Sequence, residues 1–143
     1  MKKFIMTPIC IGMLAISGCE IAVDVLMDCS VYDYHINLDN RELPHSHVGE
    51  FYEEWIFVDI KNHGSADANY YIDADIDGRL PQGLGIEVVY EEVEYHHEHV
   101  YVVISGYPKR RGWNSFILNV ELESDTEFCL SERDAVKFSI DVY

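Results

Sequence analysis

Basic residues are scarce in this 143-residue chain: 10 Lys and Arg stand against 26 Asp and Glu, for a net charge of −16 at neutral pH. So acidic a surface repels phosphate backbones and anionic headgroups, which excludes nucleic acid and anionic lipid as partners. It suits a basic protein, a cation, or plain solubility and repulsion from acidic neighbours. Helical periodicity is missing too. No window of helical length repeats its apolar residues every 3.6 positions, which excludes a helical bundle. The apolar run at residues 4–15 is too short to cross a bilayer as a permanent helix. Catalytic signatures are equally absent. There is no G-x-S-x-G elbow and no H-E-x-x-H, and no phosphate-loop lysine accompanies Gly83-Leu84-Gly85. The sequence therefore predicts neither an enzyme nor a resident cofactor.

The short apolar run has a meaning of its own. Met1-Lys2-Lys3 is a basic start, residues 4–15 are apolar, and Ile16-Ser17-Gly18-Cys19 follows. This is the layout of a cleaved signal peptide over residues 1–18. The final four residues resemble the lipobox of bacterial lipoproteins, which implies that Cys19 becomes an acylated N-terminus. Glu20 follows that cysteine, where aspartate would imply retention in the inner membrane, so the resemblance implies the outer membrane. Three acyl chains exceed the two signals that stable anchoring requires. Cleavage removes Lys2 and Lys3 but no acidic residue, leaving 8 basic against 26 acidic side chains, a net charge of −18.

Cysteine is sparse as well, with four in the chain. Cys10 leaves with the signal peptide and Cys19 takes the lipid. Cys29 and Cys129 remain as a single pair in an oxidising compartment, and a disulfide between them is expected. Closing so long a loop stabilises by about 4–5 kcal/mol in the chain-entropy model.

What the sequence has in quantity is β-branched and aromatic residues in alternation. Strands are expected at residues 21–27, 32–38, 51–61, 70–76, 86–95, 99–105, 115–123 and 136–142. Residues 124–134 read as a polar loop with one helical turn at Ser131-Glu132-Arg133-Asp134. Phe116, Leu118 and Val120 share a face and are expected in the core. The stretch Ile104 to Val120 reads as a strand reversed by a Gly/Pro turn into a second strand. So many short strands at short spacing predict an all-β sandwich with Greek-key connections.

Two signatures sharpen that expectation: Leu80-Pro81-Gln82-Gly83-Leu84-Gly85-Ile86, and Ile104-Ser105-Gly106-Tyr107-Pro108 with Gly112 and an alternating Phe116-Leu118-Val120. Their order resembles the Ig-like, cadherin-like domains of bacterial surface proteins. The resemblance covers roughly residues 51–143, most securely 77–123, and implies an Ig-like sandwich of about 7–9 antiparallel strands. Residues 19–50 then supply the lipidated N-terminus and first strands, packed onto that sandwich as one domain. Two departures stand out. Residues 87–103 look inserted between the motifs, and neither motif recurs as a tandem repeat.

Three groups of side chains invite a chemical reading. Asp73, Asp75 and Asp77, followed by Gly78, open like a calcium loop, and cadherin-like relatives do bind calcium. The twelfth position of such a loop is Leu84, however, and Pro81 interrupts it, so the same residues also read as the wet face of a strand. His97 and His99 share a strand face and suit zinc or copper, or an exposed hairpin tip; His45 and His47 are a second pair. Lys109-Arg110-Arg111 beside Trp113 is a basic contact point on an acidic chain, or simply an exposed turn. The expected function is a non-enzymatic, membrane-anchored envelope lipoprotein whose Ig-like module binds or supports an envelope protein. The alternatives are a calcium-, zinc- or copper-binding lipoprotein, and an inhibitor or immunity-type lipoprotein directed at a basic envelope protein.

Overall fold

Alternation along each segment decides which side chains go inside. The computed structural model describes residues 29–93, 97–124 and 130–143. A 3-10 turn, Cys29–Val31, leads into β1 (Tyr34–Leu38), which buries Tyr34, Ile36 and Leu38 and exposes His35 and Asn37. β2 (Tyr52–Asn62) buries Tyr52, Ile56 and Val58. β3 (Tyr71–Gly78) turns Ile72 inward and Asp73, Asp75 and Asp77 outward. β4 (Leu84–Val93) and β5 (His97–Gly106) form a hairpin with Val93 opposite His97. β6 (Gly112–Glu123) buries Phe116, Leu118, Val120 and Leu122, and β7 (Ser131–Val142) buries Phe138, Ile140 and Val142. Among the described residues no helix is long and apolar enough to cross a membrane.

The strands divide into a four-stranded sheet, β1-β2-β5-β4, and a three-stranded sheet, β3-β6-β7, antiparallel throughout. With strands lettered in chain order, this is A-B-E-D on one side and C-F-G on the other, the constant-type immunoglobulin topology. The core lies between the sheets, where Ile56, Val102 and Ile104 of one meet Leu118, Leu122 and Ile140 of the other within one apolar cluster. The expected Ig-like β-sandwich is the observed fold.

Residues after β1 cross from the first sheet to the second. Ser46 forms a parallel bridge with Val142, its amide donating to the Asp141 carbonyl at 2.9 Å. Val48 N–H then donates to the Tyr143 carbonyl at 3.0 Å, and Gly49 N–H to the Pro108 carbonyl at 2.9 Å.

The two signature stretches meet in space. Tyr107 N–H donates to the Gly83 carbonyl at 3.2 Å and Lys109 N–H to the Gln82 carbonyl at 2.8 Å. A Cβ on Gly83 would sit 2.1 Å from the Tyr107 carbonyl oxygen, and one on Gly106 would sit 2.2 Å from that of Gly83. Backbone lies against backbone here. Only glycine permits that approach, and both residues also take positive φ, 99° and 141°.

Three sequence readings change. The Gly/Pro turn after Ile104 does not fold β6 back onto β5. Those strands belong to different sheets, so residues 107–111 form an inter-sheet arch. Ser131 to Asp134 is strand rather than a helical turn, paired residue by residue with Glu123 to Val120. Its polar composition belongs to an edge strand, where β6 supplies hydrogen bonds on one side and water covers much of the rest. The inserted stretch 87–103 is no separate feature, since it supplies most of β4 and β5. The strand expected at 21–27 lies outside the described residues.

Candidate functional site

β2 and β5 carry apolar side chains on both faces. Such a pattern ordinarily marks a strand covered on both sides. Here one face lines the core, and the other is the outer face of the four-stranded sheet, which no element among the described residues covers. Outward along β2 come Glu53, Trp55, Phe57 and Asp59, and along β5 come His99, Tyr101 and Val103. The register sets Trp55 opposite Val103 and Phe57 opposite Tyr101. β4 adds Glu87 beside Val103, Val89 beside Tyr101 and Glu91 beside His99.

The result is a cross-strand aromatic cluster. Ring centroids lie 5.4 Å apart for Trp55 and Tyr101, 5.5 Å for Phe57 and Tyr101, and 5.6 Å for Phe57 and His99. Tilted and edge-on contacts of this kind add about 0.5–1.5 kcal/mol per pair beyond area burial. Trp55 Nε1 donates to Glu53 Oε1 at 3.1 Å, which fixes the indole on the sheet. Val103 is 5 % exposed although it points outward, whereas Trp55 remains 41 % exposed. The cluster is a shallow platform with a sealed floor and open aromatic edges.

Carboxylates ring the platform. On the outer face Lys61 pairs with Asp59 at 2.9 Å, while on the other side of β2 Arg41 pairs with Glu54 at 2.9 Å and also with Asp39 at 3.2 Å. Glu53, Glu87 and Glu91 meet no lysine or arginine among the described residues. At the base of β2, burial pushes the Tyr52 phenol well above its ordinary range, and the Glu54 carboxylate adds to the effect. The Tyr52 hydroxyl donates to the Pro44 carbonyl at 3.2 Å.

The residues singled out from sequence are dispersed. Asp73, Asp75 and Asp77 stand in a row along β3, two residues and so about 6.6 Å apart. Asn119 Nδ2 reaches Asp75 at 3.4 Å, and nearby Arg133 pairs with Glu121 at 3.0 Å, holding that carboxyl below its usual range. Among the described residues the group that brings three potential metal ligands within 4.8 Å is Asp33, His35 and His63, so the aspartate row does not converge. His99 belongs to the aromatic cluster. The side chain of His97 lies outside the described residues, as do Cys19 and Cys129, while Cys29 opens the 3-10 turn. His45 and His47 stack around Tyr143, with centroids 5.4 and 6.0 Å from its ring. Asp141 beside that phenol raises its pKa. Arg110, Arg111 and the 66 % exposed Trp113 line a cleft of about 450 Å³ together with Arg79, at the end of the sandwich where the two signatures meet.

Sequence reasoning missed Trp55, Phe57 and Tyr101 as surface residues. The available signal was Trp55-Ile56-Phe57-Val58, a consecutive apolar run in a sheet that is open on one side.

No protein-family model matches the chain, and no curated protein does. Among solved structures, the chain is similar in fold to the ASH/PapD-like domain of human CEP192 (PapD-like domain 7), at 16 % identity and a TM-score of 0.44, over 76 % of this chain and 84 % of that one.

Proposed function

We propose that this chain is a non-enzymatic binding module of the bacterial envelope, lipid-anchored through Cys19, and that it holds a basic protein on the open face of its four-stranded sheet. The observation that carries this reading is the aromatic platform of Trp55, Phe57, Tyr101 and His99 inside a ring of carboxylates. Aromatic residues are enriched at the energetic centres of interfaces, where a polar rim excludes water around them. A rim of one sign selects the opposite sign and speeds encounter. The Glu53, Glu87 and Glu91 carboxylates offer that selection to lysine and arginine, and the net charge of −18 left after removal of residues 1–18 extends it. The lipobox resemblance and the basic, apolar start of the chain support anchoring, with the outer membrane as destination.

Capture from envelope extract tests the reading. The wild-type lipoprotein is expected to retain a basic protein in low salt and lose it in high salt. Trp55→Ala combined with Tyr101→Ala removes two aromatic anchors, for which a loss of about 2 kcal/mol or more, roughly thirtyfold in affinity, is expected. Capture of the same proteins by that variant overturns the assigned face. Fractionation of Cys19→Ser tests the anchor: the variant should leave the membrane fraction, and its persistence there overturns lipidation.

A further inference from the structure

We infer that Asp33, His35 and His63 form a surface site for a divalent transition-metal ion of the zinc or copper class, at the β1 edge of the four-stranded sheet. Asp33 directly precedes β1 and His63 directly follows β2. Tyr34 pairs with Asn62, so one step further Asp33 stands opposite His63, and the His63 amide donates to the Asp33 carbonyl at 2.8 Å. Tyr34 points into the core, so Asp33 and His35 both point outward, onto the side that His63 occupies. His35 Nε2 lies 3.0 Å from Asp33 Oδ1, and the two imidazole centroids are 5.4 Å apart. One ligand atom from each residue falls within 4.8 Å of the other two.

A tetrahedral ion with bonds of about 2.0–2.1 Å holds neighbouring ligand atoms about 3.3 Å apart. Side-chain rotation closes the remaining gap, and the backbone is already set. A Cβ on Gly64 would lie 2.2 Å from the Val31 carbonyl oxygen and 2.7 Å from the Asp33 nitrogen, so the turn after β2 is pressed onto the strand entering β1. Asn62 fastens that turn, its Oδ1 accepting from Gly64 N–H at 2.9 Å and its Nδ2 donating to the Ala66 carbonyl at 2.9 Å. Ala66 N–H reaches the Val31 carbonyl at 3.1 Å. A ligand set on pre-fixed backbone loses little order on binding. Two borderline imidazoles beside a single hard carboxylate favour zinc and copper over calcium, which wants six to eight oxygens. The one cation opposite His35, Lys61, is compensated by Asp59. Three protein ligands leave a coordination position for water or for a side chain of a bound partner. The site is independent of the partner assigned to the aromatic platform.

The test is calorimetric titration of the untagged protein with Zn²⁺ alone, Cu²⁺ alone and Ca²⁺ alone. One equivalent of Zn²⁺ or Cu²⁺ should bind, with no response to Ca²⁺. His35→Ala and His63→Ala should each weaken binding at least tenfold. His45→Ala with His47→Ala should leave it unchanged. All three ligands are exposed, so the variants should keep the metal-free melting temperature, and Zn²⁺ should raise the melting temperature of the wild type but not of His63→Ala. Absence of Zn²⁺ and Cu²⁺ binding overturns the proposal. So does binding that survives both single variants, binding that depends instead on His45 and His47 or on His97 and His99, or a preference for Ca²⁺.

Discussion

The backbone amide of Leu38 donates a 2.8 Å hydrogen bond to the carboxylate of Asp134, at a sequence separation of 96. It ties the last residue of β1, in one sheet, to the first turn-side stretch of β7, in the other. Asp134 Oδ1 also accepts from Ala135 N–H at 2.8 Å, which orients the carboxylate. Asp134→Ala leaves the part-buried Leu38 amide without its acceptor, at an expected cost of about 1–3 kcal/mol. Asp134→Asn keeps an acceptor oxygen and should cost less. Urea midpoints at unchanged m-value measure both.

The same separation recurs where Ser46 bridges Val142 in parallel. Cys29 opens the 3-10 turn ahead of β1, its carbonyl accepting from Tyr32 N–H at 3.1 Å, and Cys129 is the other cysteine left once Cys10 and Cys19 are assigned to the signal and the lipid. Bridging requires Cα atoms within about 7 Å. A Cys29–Cys129 disulfide is the expected outcome. Thiol labelling of the denatured, unreduced protein should find no reactive cysteine in this pair, and two after reduction. Two reactive thiols before reduction refute the pairing.

Neighbours on β6 should respond oppositely to truncation. Leu118 is fully buried between Ile76 and Val136, whereas Ile117 is 36 % exposed on the outer face. Leu118→Ala should destabilise by about 2–5 kcal/mol. Ile117→Ala should cost well under about 1 kcal/mol, as surface changes do. Equal costs would mean that the register is shifted by one residue.

Tyr52 predicts an alkaline limit. Its buried phenol holds the proton to higher pH than an unfolded tyrosine, whose pKa is about 10. Above about pH 10 the unfolded chain therefore releases a proton that the folded chain keeps, and stability falls as pH rises. Tyr52→Phe removes this contribution. It should cost about 0.5–1.5 kcal/mol at neutral pH through the lost bond to Pro44, with the gap from wild type narrowing above about pH 10. A constant gap across that range would refute the assignment.

The sequence alone determined which faces of β3 and β6 are wet. Phe116, Leu118 and Val120 are buried as their alternation requires, and Asp73, Asp75 and Asp77 are exposed. Side-chain direction along a strand is a local property with a period of two, so it survives without knowledge of neighbours. Tertiary structure decided everything that depends on which strands are adjacent. An arch and a hairpin are written with the same Gly and Pro residues, so only sheet assignment shows that residues 107–111 change layers. Ser131 to Asp134 is polar enough for a loop, yet pairing with β6 makes it strand. The aromatic platform and the Asp33–His35–His63 group each join side chains from different strands, and cross-strand distances are set by register. Alternation specifies a face, but the partner across the sheet comes from the order in which the strands close the core.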